Sequence, residues 1–141
     1  MIMEYYDIVF KGISSGNVNY FIKEILNIKQ DNIISSHCWS EDSGDYEFSD
    51  DMKLNEYFSG NNTASIFTET ITLNCTYNKV VCIITSDIEN IDIECNISEN
   101  DFDISDIIKL KEWLENLCSE KIISYAEISS SAENKPLFKT E

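Results

Sequence analysis

An imidazole beside a thiol is the raw material of a nucleophilic cysteine, and this chain has one such pair, His37-Cys38. The surrounding run from Ile33 to Ser40 reads as a strand, and adjacent side chains on a strand point to opposite faces. His37 and Cys38 therefore cannot exchange a proton with each other, and no spacing nominates another cysteine for His37. A single histidine also leaves few routes to a zinc site. With Cys75, Cys82, Cys95 and Cys118 the chain has five cysteines, an odd number with no CxxC spacing. They read as small buried hydrophobes in a reducing compartment, with neither a disulfide nor a structural metal expected. Glycine-rich phosphate loops and paired catalytic carboxylates in a fixed motif are absent from the sequence. The chain is read as a non-enzyme with no cofactor.

Carboxylates are the chemistry that remains. The net charge is −16, and 14 of those charges fall in two windows. Glu41 to Glu56 holds seven acids against one lysine, and Asp87 to Asp106 holds eight acids and no base. The other 105 residues carry eleven acids and nine lysines and are nearly neutral. Such unevenness predicts where a cationic partner docks. It disfavours direct binding to nucleic acid, which needs clustered cations, and all ten basic residues are lysine, so no guanidinium fork is available.

In the first window Glu41, Asp42, Asp45, Glu47, Asp50 and Asp51 are interleaved with Tyr46 and Phe48, and Trp39 lies just before it. Carboxylates steer and set register, while aromatics supply desolvated anchor area, so the mixture has the composition of a protein-binding hot spot. The string Glu41-Asp42-Ser43-Gly44-Asp45 lacks the alternating oxygen ligands and closing glutamate of a calcium loop. In the second window Asp101, Asp103 and Asp106 suit the start of a helix, where carboxylates cap the free N–H groups. Asp92 and Glu94 are left as the wet face of a strand or part of an acidic binding face.

These residues need a scaffold. Tyr5 to Gly12 alternates as a first strand, and Val18, Phe21, Ile22, Ile25 and Leu26 form one apolar helical stripe that Asn32 is expected to close. Ile33 to Ser40 is a second strand, so the two strands and the helix suggest a right-handed crossover unit. Residues 41–62 are expected as a mobile or partly extended acidic insertion. Ile66 to Tyr77, Val80 to Ile84 and Ile91 to Ile97 read as three strands joined by hairpins at Asn78-Lys79 and Asp87 to Asn90. Val80 to Ile84 is apolar throughout, which predicts an interior strand covered on both sides or heavily packed. A second helix over Ile104 to Ser119 and a strand over Ile122 to Ile128 follow.

The expected fold is α+β, a two-layer sandwich with a mostly antiparallel sheet of about six strands and two helices on one face. It forms a single domain over residues 1–128, followed by a polar C-terminal tail, 129–141. The first residues, Met1 to Asp7, have no basic n-region or long apolar core, and no apolar run is long enough for a membrane span. A cytoplasmic location without a membrane partner is expected.

In size, element order and its two acidic windows, Glu41 to Glu56 and Asp87 to Asp106, the chain resembles bacterial immunity proteins. These are the small inhibitors that protect a cell from contact-dependent and other polymorphic toxins. The resemblance covers the whole chain and rests on no motif. It implies a non-enzymatic protein that occludes a cognate toxin, often a basic nuclease, or another basic protein. Two alternatives stand beside it: a nucleic-acid mimic of the anti-restriction type, and a small-ligand-binding α+β domain. A mimic spreads charge along an elongated face, whereas an inhibitor needs one compact acidic patch with aromatics.

Overall fold

A computed structural model of the chain describes residues 4–40, 44–87, 90–132 and 135–141. Alternating sequence becomes strand wherever one side chain in two can be buried. Eight such segments form one antiparallel sheet: β1 (Tyr5–Ile13), β2 (Ile33–Ser40), β3 (Gly44–Tyr46), β4 (Thr63–Thr72), β5 (Thr76–Ser86), β6 (Ile91–Ser98), β7 (Tyr125–Ser130) and β8 (Phe138–Lys139). Their order across the sheet is β3-β2-β4-β5-β6-β1-β7-β8. The sheet therefore has eight strands among the described residues, where about six were expected. The additions are the short edges β3 and β8, too brief for periodicity to reveal.

Register explains the core. Cys38, Ala64, Ile84, Ile93, Phe10 and Ala126 lie opposite one another in a single row across six strands. A second row runs Ile66, Cys82, Cys95, Ile8 and Ile128. Directly opposed residues share a face, and every member of both rows is buried. Each large apolar side chain so placed contributes about 1.5–3 kcal/mol relative to exposure.

Helices cover that face. The first begins as α1 (Val18–Tyr20) and widens into a π-helical turn over Phe21–Ile25, burying Val18, Phe21 and Ile22. It stops before Asn32, because Asn27 adopts φ +55°. Asn32 instead closes a short 3-10 turn (Gln30–Asn32), its Oδ1 accepting from Lys29 N at 2.9 Å. A one-turn α2 (Leu54–Tyr57) and the longer α3 (Asp106–Ser119) complete the set, α3 burying Leu110, Leu114 and Leu117. Phe10 of β1 meets Phe21 edge-on at 5.0 Å and Trp113 of α3 at 5.9 Å, so both helices press on the same side of the sheet. Asp103 N reaches Asp106 Oδ2 at 3.3 Å, half of the capping exchange expected at the start of α3.

β1 and β2 are separated by three antiparallel strands, so they run in the same direction without pairing. The crossover between them spans the sheet rather than joining neighbours. Val80 to Ile84 is an interior strand segment, but it is covered on one side only. Val80, Cys82 and Ile84 are buried, whereas Val81 is half-buried and Ile83 is 44% exposed. The hairpin turn falls at Leu73 to Cys75, where Asn74 takes φ +61°, and Asn78-Lys79 lies inside β5. Lys79, at φ +56°, marks a change of face, since Thr68 and Ile71 are both buried, as are their partners Val80 and Tyr77. The hairpin tip thereby curls onto the helices. Tyr77 Oη donates to Asp106 Oδ2 at 2.8 Å and Asn74 Nδ2 to Lys109 O at 3.0 Å.

Residues 44–62 are built into the fold rather than inserted outside it. Phe48, Leu54 and Phe58 are buried in the core, and Tyr57 Oη lies 2.7 Å from Trp39 O and 2.8 Å from Thr63 O. Beyond residue 128 the chain returns to the sheet, with Phe138 opposite Ile128 and Thr140 buried. Ile104 and Ile108, counted in the apolar stripe of the second helix, are exposed. The helix starts two residues after Ile104, and its buried side is set by Leu110, Leu114 and Leu117.

Candidate functional site

His37 and Cys38 do part to opposite faces of β2. Cys38 is fully buried on the helix side, and its thiol is pushed up to about 11 by burial and the nearby Asp45 carboxylate, so it stays protonated. His37 faces solvent, with Nε2 3.0 Å from Asp45 Oδ2. The buried thiols of Cys82 and Cys95 sit 3.5 Å apart, and that contact, followed by burial, raises Cys95 well above the ordinary thiol range. Among the described residues no three His, Cys, Asp or Glu side chains gather as a metal site.

The side of the sheet away from the helices is where the acidic windows meet. Trp39 pairs with Asp45 on one flank and Thr63 on the other, and that row continues through Thr85 to Asp92. The next row runs His37, Ser65, Ile83, Glu94 and Val9. Trp39, Asp45, Asp92 and Glu94, from segments far apart in sequence, thus share one solvent-facing surface. Trp39 is 50% exposed.

Other expected contact residues are placed differently. Tyr46 pairs with Cys38 on the helix side and packs edge-on against Tyr57 at 5.7 Å. Phe48 is buried, so it presents no area to a partner. Glu47 and Asp51 are exposed in the loop after β3. Asp50 is held toward the helices: its Oδ1 accepts from Gln30 N at 2.9 Å and its carbonyl from Lys23 Nζ at 2.8 Å. Glu41 and Asp42 lie outside the described residues. Val9, Phe67, Val81 and Ile83 belong to the same face as Trp39 and escaped the sequence reading. The unbroken run Val80 to Ile84 carried the signal for Val81 and Ile83, because a strand apolar at every position has two apolar sides.

The face has a strained charge at its centre. The Glu94 carboxyl is held above the ordinary carboxylate range, first by desolvation and then by the Asp7 carboxylate, with Lys11 opposing. Asp7 itself accepts from Asn96 Nδ2 at 2.6 Å, and Asp92 Oδ1 accepts from Gly12 N at 3.1 Å. Folded Glu94 binds its proton more tightly than the unfolded chain does. Stability therefore falls as pH rises through the ordinary carboxylate pKa toward the raised folded one, and the loss persists above it. Glu94→Gln is expected to melt above the parent at pH 7 and together with it at pH 3, where the glutamate is neutral in both states. Thermal melts followed by circular dichroism check this, and a parent that melts higher at pH 7 refutes it.

Residues 4–128 match the family model described as PABL017 Cdi1I immunity protein. No curated protein matches the chain. Among solved structures, the chain is similar to one in the 1.75 Å crystal structure of the toxic C-terminal tip of CdiA from Pseudomonas aeruginosa in complex with immune protein. The TM-score is 0.73 at 14% sequence identity, over 99% of this chain and 96% of that one. At that identity the likeness is one of fold.

Proposed function

Because the chain belongs to the PABL017 Cdi1I immunity protein family, a family of non-enzymatic inhibitors, we propose that it protects by binding and neutralising a cognate CdiA-type toxic tip. The family match over residues 4–128 carries this reading. The fold shared with a chain from a complex of a toxic CdiA tip and immune protein supports the class of partner. The toxin is a basic, nuclease-type protein, since two acidic windows on a near-neutral chain complement a cation-rich surface. Contact is made by the acidic, aromatic surface around Trp39, Asp45, Glu47 and Asp51, with Asp92 and Glu94 assisting. A nucleic-acid mimic is less well supported, because the carboxylates of the uncovered face surround apolar side chains rather than forming a phosphate-like line.

The cognate toxic C-terminal fragment, to be sought in the gene neighbouring this chain, tests the proposal. Induced alone in a bacterial host it should arrest growth, and co-expression with this chain should restore growth and let the two proteins co-purify. Arrest that continues undiminished, with no complex recovered, overturns the reading.

A further inference from the structure

We infer that the toxin docks on the uncovered face of the central strands, with Ile83 as the apolar anchor and Asp45, Asp92 and Glu94 meeting lysine or arginine side chains around it. The inference rests on the function proposed above and gives its contact surface an apolar centre on the middle strands. Large apolar side chains in the middle of a sheet are normally covered, and the described helices all lie on the other side of this one. Ile83 is 44% exposed, and its neighbours Phe67 and Val81 are half-buried with no helix or strand among the described residues over them. Ile83 lies directly between Ser65 and Glu94, and the row from His37 to Val9 crosses five strands, about 19 Å at normal strand spacing. That is a fair part of the width of a standard protein interface.

Charge selects the occupant. Around Ile83, Asp7, Asp45, Asp92 and Glu94 outnumber Lys11 and His37, the latter already paired to Asp45, while Lys139 shares this face at its β8 edge, where it lies opposite Glu127. A second copy of the chain, joined about a two-fold axis, would set carboxylates against carboxylates. A cationic partner would relieve the repulsion that Asp7 exerts on Glu94. Docking by strand addition is poorly served, because the edges are the three-residue β3 and the two-residue β8. The rival apolar surface is on α3, where Ile108 is 79% exposed, but Lys109 and Lys111 beside it make its charge mixed.

Calorimetric titration with the cognate toxic fragment separates the surfaces. Ile83→Lys and, as a second exposed position in the same row, Glu94→Lys should each weaken binding by about 30-fold or more, the loss expected at a hot spot. Ile108→Lys should stay within about threefold of the parent, and all three should melt as cooperatively as the parent. The inference is overturned if both face variants bind like the parent, or if Ile108→Lys loses as much as they do. It is also overturned if sedimentation shows a dimer of the parent that Ile83→Lys dissociates. A parent that binds no toxic fragment overturns the functional reading itself, which distinguishes the two failures.

Discussion

Replacing Phe10 by alanine is expected to cost about 3–5 kcal/mol, enough to consume a large part of a typical domain's stability. The magnitude follows from position. Phe10 is fully buried on β1, between Ile93 of β6 and Ala126 of β7. Its ring also meets Phe21 at 70° and Trp113 at 86°, so one side chain ties the sheet to the first helix and to α3. Edge-to-face contacts add to the area term, and a cavity here removes support from three elements at once. Phe10→Leu keeps most of the volume and is expected to lose less than half as much. Urea unfolding followed by circular dichroism measures both, and a loss below about 1 kcal/mol for the alanine variant refutes this account of the core.

Local pattern made much of this architecture legible. The alternation of Ile91, Ile93, Cys95 and Ile97 marks β6, and Ile33 to Ser40 has the bounds of β2. Between β5 and β6, Asp87 and Asn90 exchange two hydrogen bonds near 3 Å, Asp87 N to Asn90 O and Asn90 N to Asp87 Oδ1. The rest depended on pairing between distant segments, which a linear pattern does not encode. Phe48, Leu54 and Phe58 are core anchors, but they follow neither strand nor helix periodicity and sit among acids that suggested solvent. Ile83 could be recognised as exposed only once the helices had been placed on one side of the sheet.

The same limit shaped the reading of the site. Composition nominated Trp39, Asp45, Asp92 and Glu94 separately, and the register through β4 and β5 joined them. It also separated Phe48, which composition had grouped with Tyr46 as an anchor. A buried phenylalanine stabilises the surface from beneath. Truncating it would lower stability rather than hasten release of a partner.

Kinetics of toxin binding should divide along these lines. The triple variant Asp45→Asn, Asp92→Asn, Glu94→Gln is expected to slow association by about tenfold or more at low ionic strength, since steering by surface charge acts mainly on the encounter. The difference should shrink as salt rises, because the screening length falls from about 10 Å at 0.1 M to about 3 Å at 1 M. Trp39→Ala should leave association nearly unchanged and raise the dissociation rate by about 30-fold, through loss of a half-exposed indole that the complex would bury. Asp50→Asn should matter less than any face position, because that carboxylate is bonded to Gln30 N on the helix side and an amide oxygen can accept the same bond. Surface-plasmon measurements across a salt series separate these terms. If the triple variant associates as fast as the parent at every salt concentration, the acidic face does not steer the partner and the electrostatic mechanism is wrong.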